Sequence, residues 1–346
     1  MNETVFNLQT EKAGENAIEK KIELILTVGQ VLVESGAAND KITRVIERVA
    51  TFMDIPEKDY SLHIMKQIIF LEVTHDKKIL CSFRKCGTGI DFEKIYAITK
   101  LTWQILKESV SLKEFESKLK KIATQPKNYS HGQIIFAVGA ACGGFCYLFG
   151  GNIFEAMYTA LCAMAGKFCQ ITLLGRKVNE FISIAFAAFV ATVLAYLFPE
   201  ESLKTTAACA LFLVPGVPII NAVIDATNKS FLIAVTEIFR TLCILVAMTV
   251  GIVFAINICL QFNEANFIDF LLMETTAESS MFFMAIAAAI CSAGFAVPLN
   301  MPKKFLWIVG LLGAFSVCFR LILHFNLGLN PEHSTFITFR NNGKSG

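Results

Sequence analysis

Most of residues 131–325 is nearly free of charge, although 17% of the 346-residue chain is Asp, Glu, Lys or Arg. A stretch that long without a charged surface excludes a water-soluble body there and predicts a membrane one. The opening run "MNETVFNLQTEKAGENAIEKK" lacks an apolar segment, so no cleavable signal peptide is expected before the first domain. No CxxC pair or zinc spacing occurs among the eleven cysteines, nine of which lie in apolar runs. A disulfide scaffold is therefore excluded and reduced, buried thiols are expected. His63, His75, Cys81 and Cys86 match no metal-ligand pattern. GxSxG, HExxH and nucleotide fingerprints are absent, which leaves no motif for an enzyme and no cofactor to expect. A net charge of +2 gives no sign of a nucleic-acid partner. Proline is scarce, eight in all, which makes two of them three residues apart inside an apolar run conspicuous.

What is present is hydrophobic: 54% of the residues, including 31 phenylalanines. At about 20 apolar residues per crossing, seven spans are predicted: Gln133–Phe149, Phe154–Leu174, Phe181–Phe198, Thr205–Thr227, Phe231–Leu260, Met281–Leu299 and Phe305–Phe325. The fifth is over-long and should tilt or project. The connecting segments alternate between basic ("GRKVN", "TNKS", "MPKK") and less basic or non-basic ("FGGN", "FPEESLK", "QFNEANFIDFLLMETTAESS"). By the positive-inside rule the head is cytoplasmic and the C-terminal tail lies outside. The expected protein is a polytopic α-helical membrane protein of the cell (inner or plasma) membrane with an N-terminal α+β cytoplasmic domain and about seven transmembrane helices. Its parts are a head and linker at 1–130, a five-helix membrane module at 131–262, and a partial second module of two helices with a polar tail at 263–346.

In the head, Ala17–Ser35 repeats apolar residues at helical spacing and Gly36 is a helix stop. Asn39 or Asp40 is placed to cap a second helix that runs to Met53. "YSLHIMKQIIFLEVTHDKKILCSF" predicts a small sheet. Asp91–Glu108 and Ser111–Ile122 read as helices, the latter opened by Ser111-Leu-Lys-Glu114. "CGTGID" lacks the lysine and hydroxyl of a phosphate loop and reads as a turn.

The chemistry concentrates in "LFLVPGVPIINAVID", residues 211–225, where the fourth span is expected to break. Pro215 and Pro218 have no N–H to donate to Leu211 and Val214, and Val214 and Val217 are pushed away from helical angles by the prolines that follow. The first half-helix then exposes carbonyls at Leu211 and Val214. The second, opening at Pro218 beyond Gly216, presents the N–H groups of Ile219 and Ile220. Unpaired backbone groups survive in a bilayer only where protein or a wet cavity covers them, and a broken helix near the midplane is a pointer to a transporter site. A proline kink packed against neighbours is the plain alternative. Asn221 and Asp225 follow Pro218 on the same face. A membrane carboxylate is placed to exchange protons, whereas proximity to Lys229 argues that Asp225 only reaches water. Glu237 and Arg240, three apart in the fifth span, read as an intrahelical ion pair or as a counter-ion for substrate or Asp225. Glu155 is expected near the surface and Lys167 deeper. Gly139 and Gly143 form a GxxxG packing signal.

"LVESGAANDKITRVIERVA", "GIDFEKIYAITKL", "VSLKEFESKL" and "FLVPGVPIINAVIDATNKSFLIAVTE" resemble the threonine/serine exporter family over about residues 17–260, head and broken segment together and in order. The rest is similar to the start of that family's second membrane module, and the "ITFRNNGKSG" tail does not add a span. The charged pair stands here as Glu237 then Arg240, the reverse of the family's order. The resemblance implies proton-driven export of threonine and serine. It also implies, from a split version of the family on two chains, export of dicarboxylates such as succinate, with a second subunit or a homo-oligomer completing the bundle. A membrane-anchored sensor whose head binds a ligand is the competing class.

Overall fold

The computed structural model describes residues 2–65, 67–75, 78–108, 110–197, 203–262 and 280–327, without the side chains of 2–17, 75 and 324–327. The expected loops at 198–202 and 263–279, the tail from 328 and the side chain of His75 lie outside the described residues. The described chain divides into two compact units. One takes the residues up to Lys127 together with Gly216–Phe239, the other Asn128–Pro215 together with the residues from Arg240 on.

The first unit is built on α1 (Asn2–Glu34) and α2 (Asn39–Phe52). Ile22, Ile25, Leu32 of α1 and Ile42, Val45, Ile46 and Val49 of α2 recur at helical spacing and are buried together. Strands β1 (Tyr60–Met65), β2 (Ile68–His75) and β3 (Lys78–Lys85) form an antiparallel meander, with Leu62 opposite Leu71 and Leu71 opposite Ser82. Ile69, Leu71 and Val73 alternate along β2 and point into the same core, each worth about 1.5–3 kcal/mol of burial. Two more helices close it, α3 (Phe92–Lys107), capped by Asp91, and α4 (Leu112–Ala123), capped by Ser111. Phe115 and Leu119 of α4 are fully buried in that core.

Cys86 follows β3 and is buried, whereas Cys81 on the same strand is exposed. Burial, with the charge of Glu34 second, pushes the Cys86 thiol up to about 11. At about pH 8 its thiolate fraction is then of order one in a thousand. Iodoacetamide is expected to label Cys81 first, with the Cys86 rate climbing about tenfold per pH unit, read peptide by peptide in a mass spectrum. The native thiol keeps its proton above the unfolded value near 9.0, so its contribution to stability falls as pH rises from there toward about 11. A Cys86 labelled as fast as Cys81 would contradict this placement.

The second unit is helical. Its elements are α5 (His131–Leu148), α6 (Ile153–Gly175), α7 (Glu180–Tyr196), α8 (Leu203–Cys209), most of a long helix, and two more after the undescribed loop. Numbered in chain order, α9 (Gly216–Thr227) belongs to the first unit, α10 (Phe231–Phe262) is the long helix, and α11 (Met281–Ala296) and α12 (Leu306–Leu327) are the last pair. Small residues set the helix contacts. A Cβ on Gly143 would meet the carbonyl oxygen of Ala156 at 2.5 Å, and one on Gly139 that of Ala160 at 2.8 Å, so the GxxxG pair is where α5 packs on α6. On the other side of α5, Cys291 Sγ donates to the Ala141 carbonyl at 3.1 Å, and a Cβ on Gly294 would come within 2.6 Å of the Ala137 oxygen. Asn300 accepts from the Asn128 backbone at 2.9 Å, and Tyr129 donates its hydroxyl to the Met301 carbonyl at 2.7 Å.

Among the described residues, four helices are long and apolar enough to cross a membrane: His131–Leu148, Ile153–Gly175, Phe231–Gln261 and Lys303–Leu323. The pair Lys204–Leu213 and Gly216–Thr227 makes a fifth if counted as one span. The remaining two predicted spans correspond to α7 and α11, with 17 and 16 residues, about 24–26 Å at 1.5 Å per residue against a hydrocarbon core of about 30 Å. The molecule is therefore a mostly helical membrane protein with, among the described residues, four to five candidate spans and one small sheet. Along α10, Val235, Phe239, Leu242, Val246, Val250 and Val253 recur at helical spacing and are all exposed, a stripe that suits acyl chains and not water.

Candidate functional site

Helical structure in the proline segment stops at Cys209. Leu211–Leu213 makes a single 3-10 turn, and Val214, ahead of Pro215, is extended (φ −65°, ψ 123°), as a residue before proline should be. Helix α9 resumes at Gly216, two residues before the expected start at Pro218. Proline is tolerated as the third residue because the first four N–H groups of a helix have no partner within it. Val214, Gly216, Ile219 and Ile220 are exposed, and Leu211, Pro215 and Pro218 are half-buried.

One turn further along, Asn221 and Asp225 both engage the turn between α1 and α2. Asn221 Nδ2 donates to the Gly36 carbonyl at 2.9 Å, and Asp225 Oδ1 accepts from the Asn39 backbone N–H at 3.1 Å. Asn39 Nδ2 in turn donates to Ser230 Oγ at 3.1 Å. The turn can take this shape because Gly36 is left-handed (φ 75°), where a Cβ would also meet the Gly89 carbonyl oxygen at 2.7 Å. The expected cap from Asn39 or Asp40 is not what is found. The N-cap of α2 is Ala38, which has no side chain to offer, and the carboxylate arrives from Asp225 instead. A carboxylate there also meets the positive end of the helix dipole, an arrangement worth about 0.5–2 kcal/mol.

Asp225 is 2% exposed, so the reading that it simply reaches water does not describe this structure. Asn39 Oδ1 is buried beside this carboxylate's hydrogen bond and takes no donor among the described residues. The local chemistry is that of acceptors grouped together.

Arg240 donates through Nη2 to both oxygens of Glu180 on α7, at 2.8 and 2.9 Å. It ties α10 to α7, a role the intrahelical spacing to Glu237 did not suggest. Glu155 closes a capping box with Asn152 at the start of α6, and Lys167 donates to Gln170 Oε1 at 2.7 Å and lies over the Phe212 ring. Gly36 and Asn39, read from the sequence only as a helix stop and a cap, contribute to this cluster, and Ser230 and Glu180 are contributors that sequence reasoning missed. The first two stand inside "LVESGAANDK", where a left-handed glycine and an uncapped helix start were the available signals.

Residues 23–259 match the family described as "Putative threonine/serine exporter". The chain belongs to that family. The match contains every residue of the Gly36–Asn39, Asn221–Asp225 and Glu180–Arg240 contacts. A relative from Klebsiella aerogenes, "Probable succinate transporter subunit YjjP", is 25% identical over 225 residues, 63% of this chain and 84% of its own. The protein of the same name from Escherichia coli K12 is 25% identical over 242 residues, 68% and 93% of the two chains. No solved structure matches. These names point to transport rather than catalysis. Helices α11 and α12 lie beyond the part of this exporter-family chain that the family match covers.

Proposed function

We propose that this chain is a secondary active exporter of small hydroxy amino acids, threonine and serine, coupled to protons, in the inner or plasma membrane with its head in the cytoplasm. The observation that carries the reading is the buried Asp225 carboxylate on the Asn39 N–H, with Asn39 Oδ1 beside it taking no donor among the described residues. Such a pair of acceptors attracts an ammonium group or a proton and repels a dianion, by Coulomb's law in a medium less polar than water. The segment Leu211–Asn221 supplies the rest of the proposed site: the Leu211 carbonyl expected to be open accepts from Val214 N at 3.1 Å, which leaves the Val214 carbonyl, and the N–H groups left open for a carboxylate at the start of α9 are those of Gly216 and Val217, ahead of Ile219 and Ile220. Asp225 and Glu237 are the proposed proton carriers, and Arg240 a positioning residue through Glu180. The relatives' printed names favour a second reading, export of a small dicarboxylate, and the word "subunit" in them favours a working assembly with a second chain or further copies.

Counterflow in liposomes discriminates. Labelled threonine and serine should exchange roughly tenfold or more faster than succinate, and a pH gradient should accelerate them. Exchange of succinate alone transfers the reading to dicarboxylates. Flux of none of the three, with the chain alone or with a co-expressed partner, removes export in favour of a sensor.

A further inference from the structure

The head contains a second polar site that the transport reading does not use. A cavity of about 600 Å³ opens between α1, the segment Gly87–Asp91 and the start of α3, with Ala123 and Lys127 at its far side. That volume falls in the range of about 300–1,000 Å³ typical of small-molecule sites. Three cations line it, Arg84, Lys94 and Lys127, against the carboxylates of Glu34 and Asp91. Both carboxylates are already engaged by protein donors. Glu34 Oε1 accepts from Gly87 N at 3.1 Å and from Gln30 Nε2 at 3.0 Å, and Asp91 Oδ1 accepts from Lys94 N at 3.1 Å. The cations have donors to spare. Arg84 spends Nη1 on Gln30 and Nη2 on Glu23, leaving part of its five-donor fork, and Lys94 Nζ spends one of its three protons on the Ala123 carbonyl at 2.9 Å. The backbone N–H groups of Thr88, Gly89 and Ile90, three in succession on the cavity wall, meet no acceptor among the described residues. The start of a 16-residue helix, α3, lies beside them and adds the positive end of its dipole. An excess of donors around an open volume calls for an acceptor-rich guest.

We propose that this cavity binds a small carboxylate-bearing metabolite, an amino acid or an organic acid, with its carboxylate between Arg84, Lys94 and Lys127 and the Thr88–Ile90 N–H groups. Its wall is continuous with the turn that holds Asn221. Asp91 N donates to the Ser35 carbonyl at 3.0 Å, and the next residue, Gly36, is the one whose carbonyl Asn221 holds. An occupant is thus one residue away from the turn against which α9 rests, which makes the cavity a place where cytoplasmic solute level acts on the exporter. The proposal stands whether or not Asp225 carries transport.

Hydrogen exchange on the full chain in lipid nanodiscs tests it, with millimolar threonine, succinate or inorganic phosphate as probes. The expected result is slowed exchange, roughly threefold or more, in peptides covering Gly87–Lys94 with threonine or succinate. The Asn221→Ala variant should retain that protection, which separates this cavity from the proposed transport site. Arg84→Gln with Lys94→Gln should lose it. Lys127→Gln alone, at an exposed position with no structural hydrogen bond to lose, should weaken binding severalfold with an unchanged melting curve. Absence of protection with both carboxylates, or protection that survives both the double and the single variant, overturns the proposal. Protection by phosphate but by neither carboxylate overturns the ligand class.

Discussion

Asp225→Asn should reduce amino-acid efflux roughly tenfold or more while the chain still inserts and folds. The side chain keeps its shape, and its amide oxygen still accepts from the Asn39 N–H, so the turn between α1 and α2 remains held. What disappears is the negative charge and the ability to take a proton. Asp225→Ala separates the two contributions. It removes the acceptor as well, leaves the first N–H of α2 without the cap that Ala38 lacks, and should cost about 1 kcal/mol of stability in addition. The measurement is efflux from proteoliposomes at two pH values, beside thermal unfolding of each variant in the same detergent. Full efflux by Asp225→Asn with an unchanged pH profile would remove Asp225 from the transport mechanism and leave it a cap.

Gly251→Val should be the most damaging packing change in the membrane unit. A Cβ at 251 would overlap the carbonyl oxygen of Ala185 on α7 and come within 3.0 Å of Ala188 Cβ. Both obstacles belong to a rigid helix, one of them to backbone, so no side chain can swing aside. Overpacking of a tight contact costs about 1–3 kcal/mol even where some relief exists, and here α7 and α10 must separate. The expected outcome is a melting temperature lowered by several degrees, or loss of the monodisperse species, with Gly175→Ala as the control. A Cβ at Gly175 meets nothing within 4 Å, and alanine there improves helix propensity. Unchanged melting of Gly251→Val would mean that α7 and α10 do not approach this closely.

The head was largely legible because its signals are local. Apolar spacing marks α1 and α2, Ser111 and Asp91 mark the starts of α4 and α3, and β-branched runs mark the sheet. The GxxxG of α5 was legible for the same reason, a spacing that suits one helix face. The site was legible only in part. Asn221 and Asp225 stand out in an apolar run, but their partners Gly36 and Asn39 lie 185 and 186 residues away, and no spacing rule reaches that far. The charged pair misled in a related way. Glu237 and Arg240 are three apart on one helix, and the closer partner by sequence was the obvious one, whereas Arg240 finds Glu180 some sixty positions earlier. The start of α9 moved because pattern reasoning favours proline as a first helical residue, although any of the first positions is free of an N–H requirement.

The hold of Asn221 on the Gly36 carbonyl bears on how this protein tolerates excision. A headless chain would keep its apolar helices but strip two polar side chains of their hydrogen-bond partners, and the isolated head would lose the carboxylate that accepts from the first N–H of α2. Each fragment would carry an open wound at the same address. Amputation is therefore a poor way to ask what the head does, and point substitution at Gly36 or Asn39 is the finer scalpel.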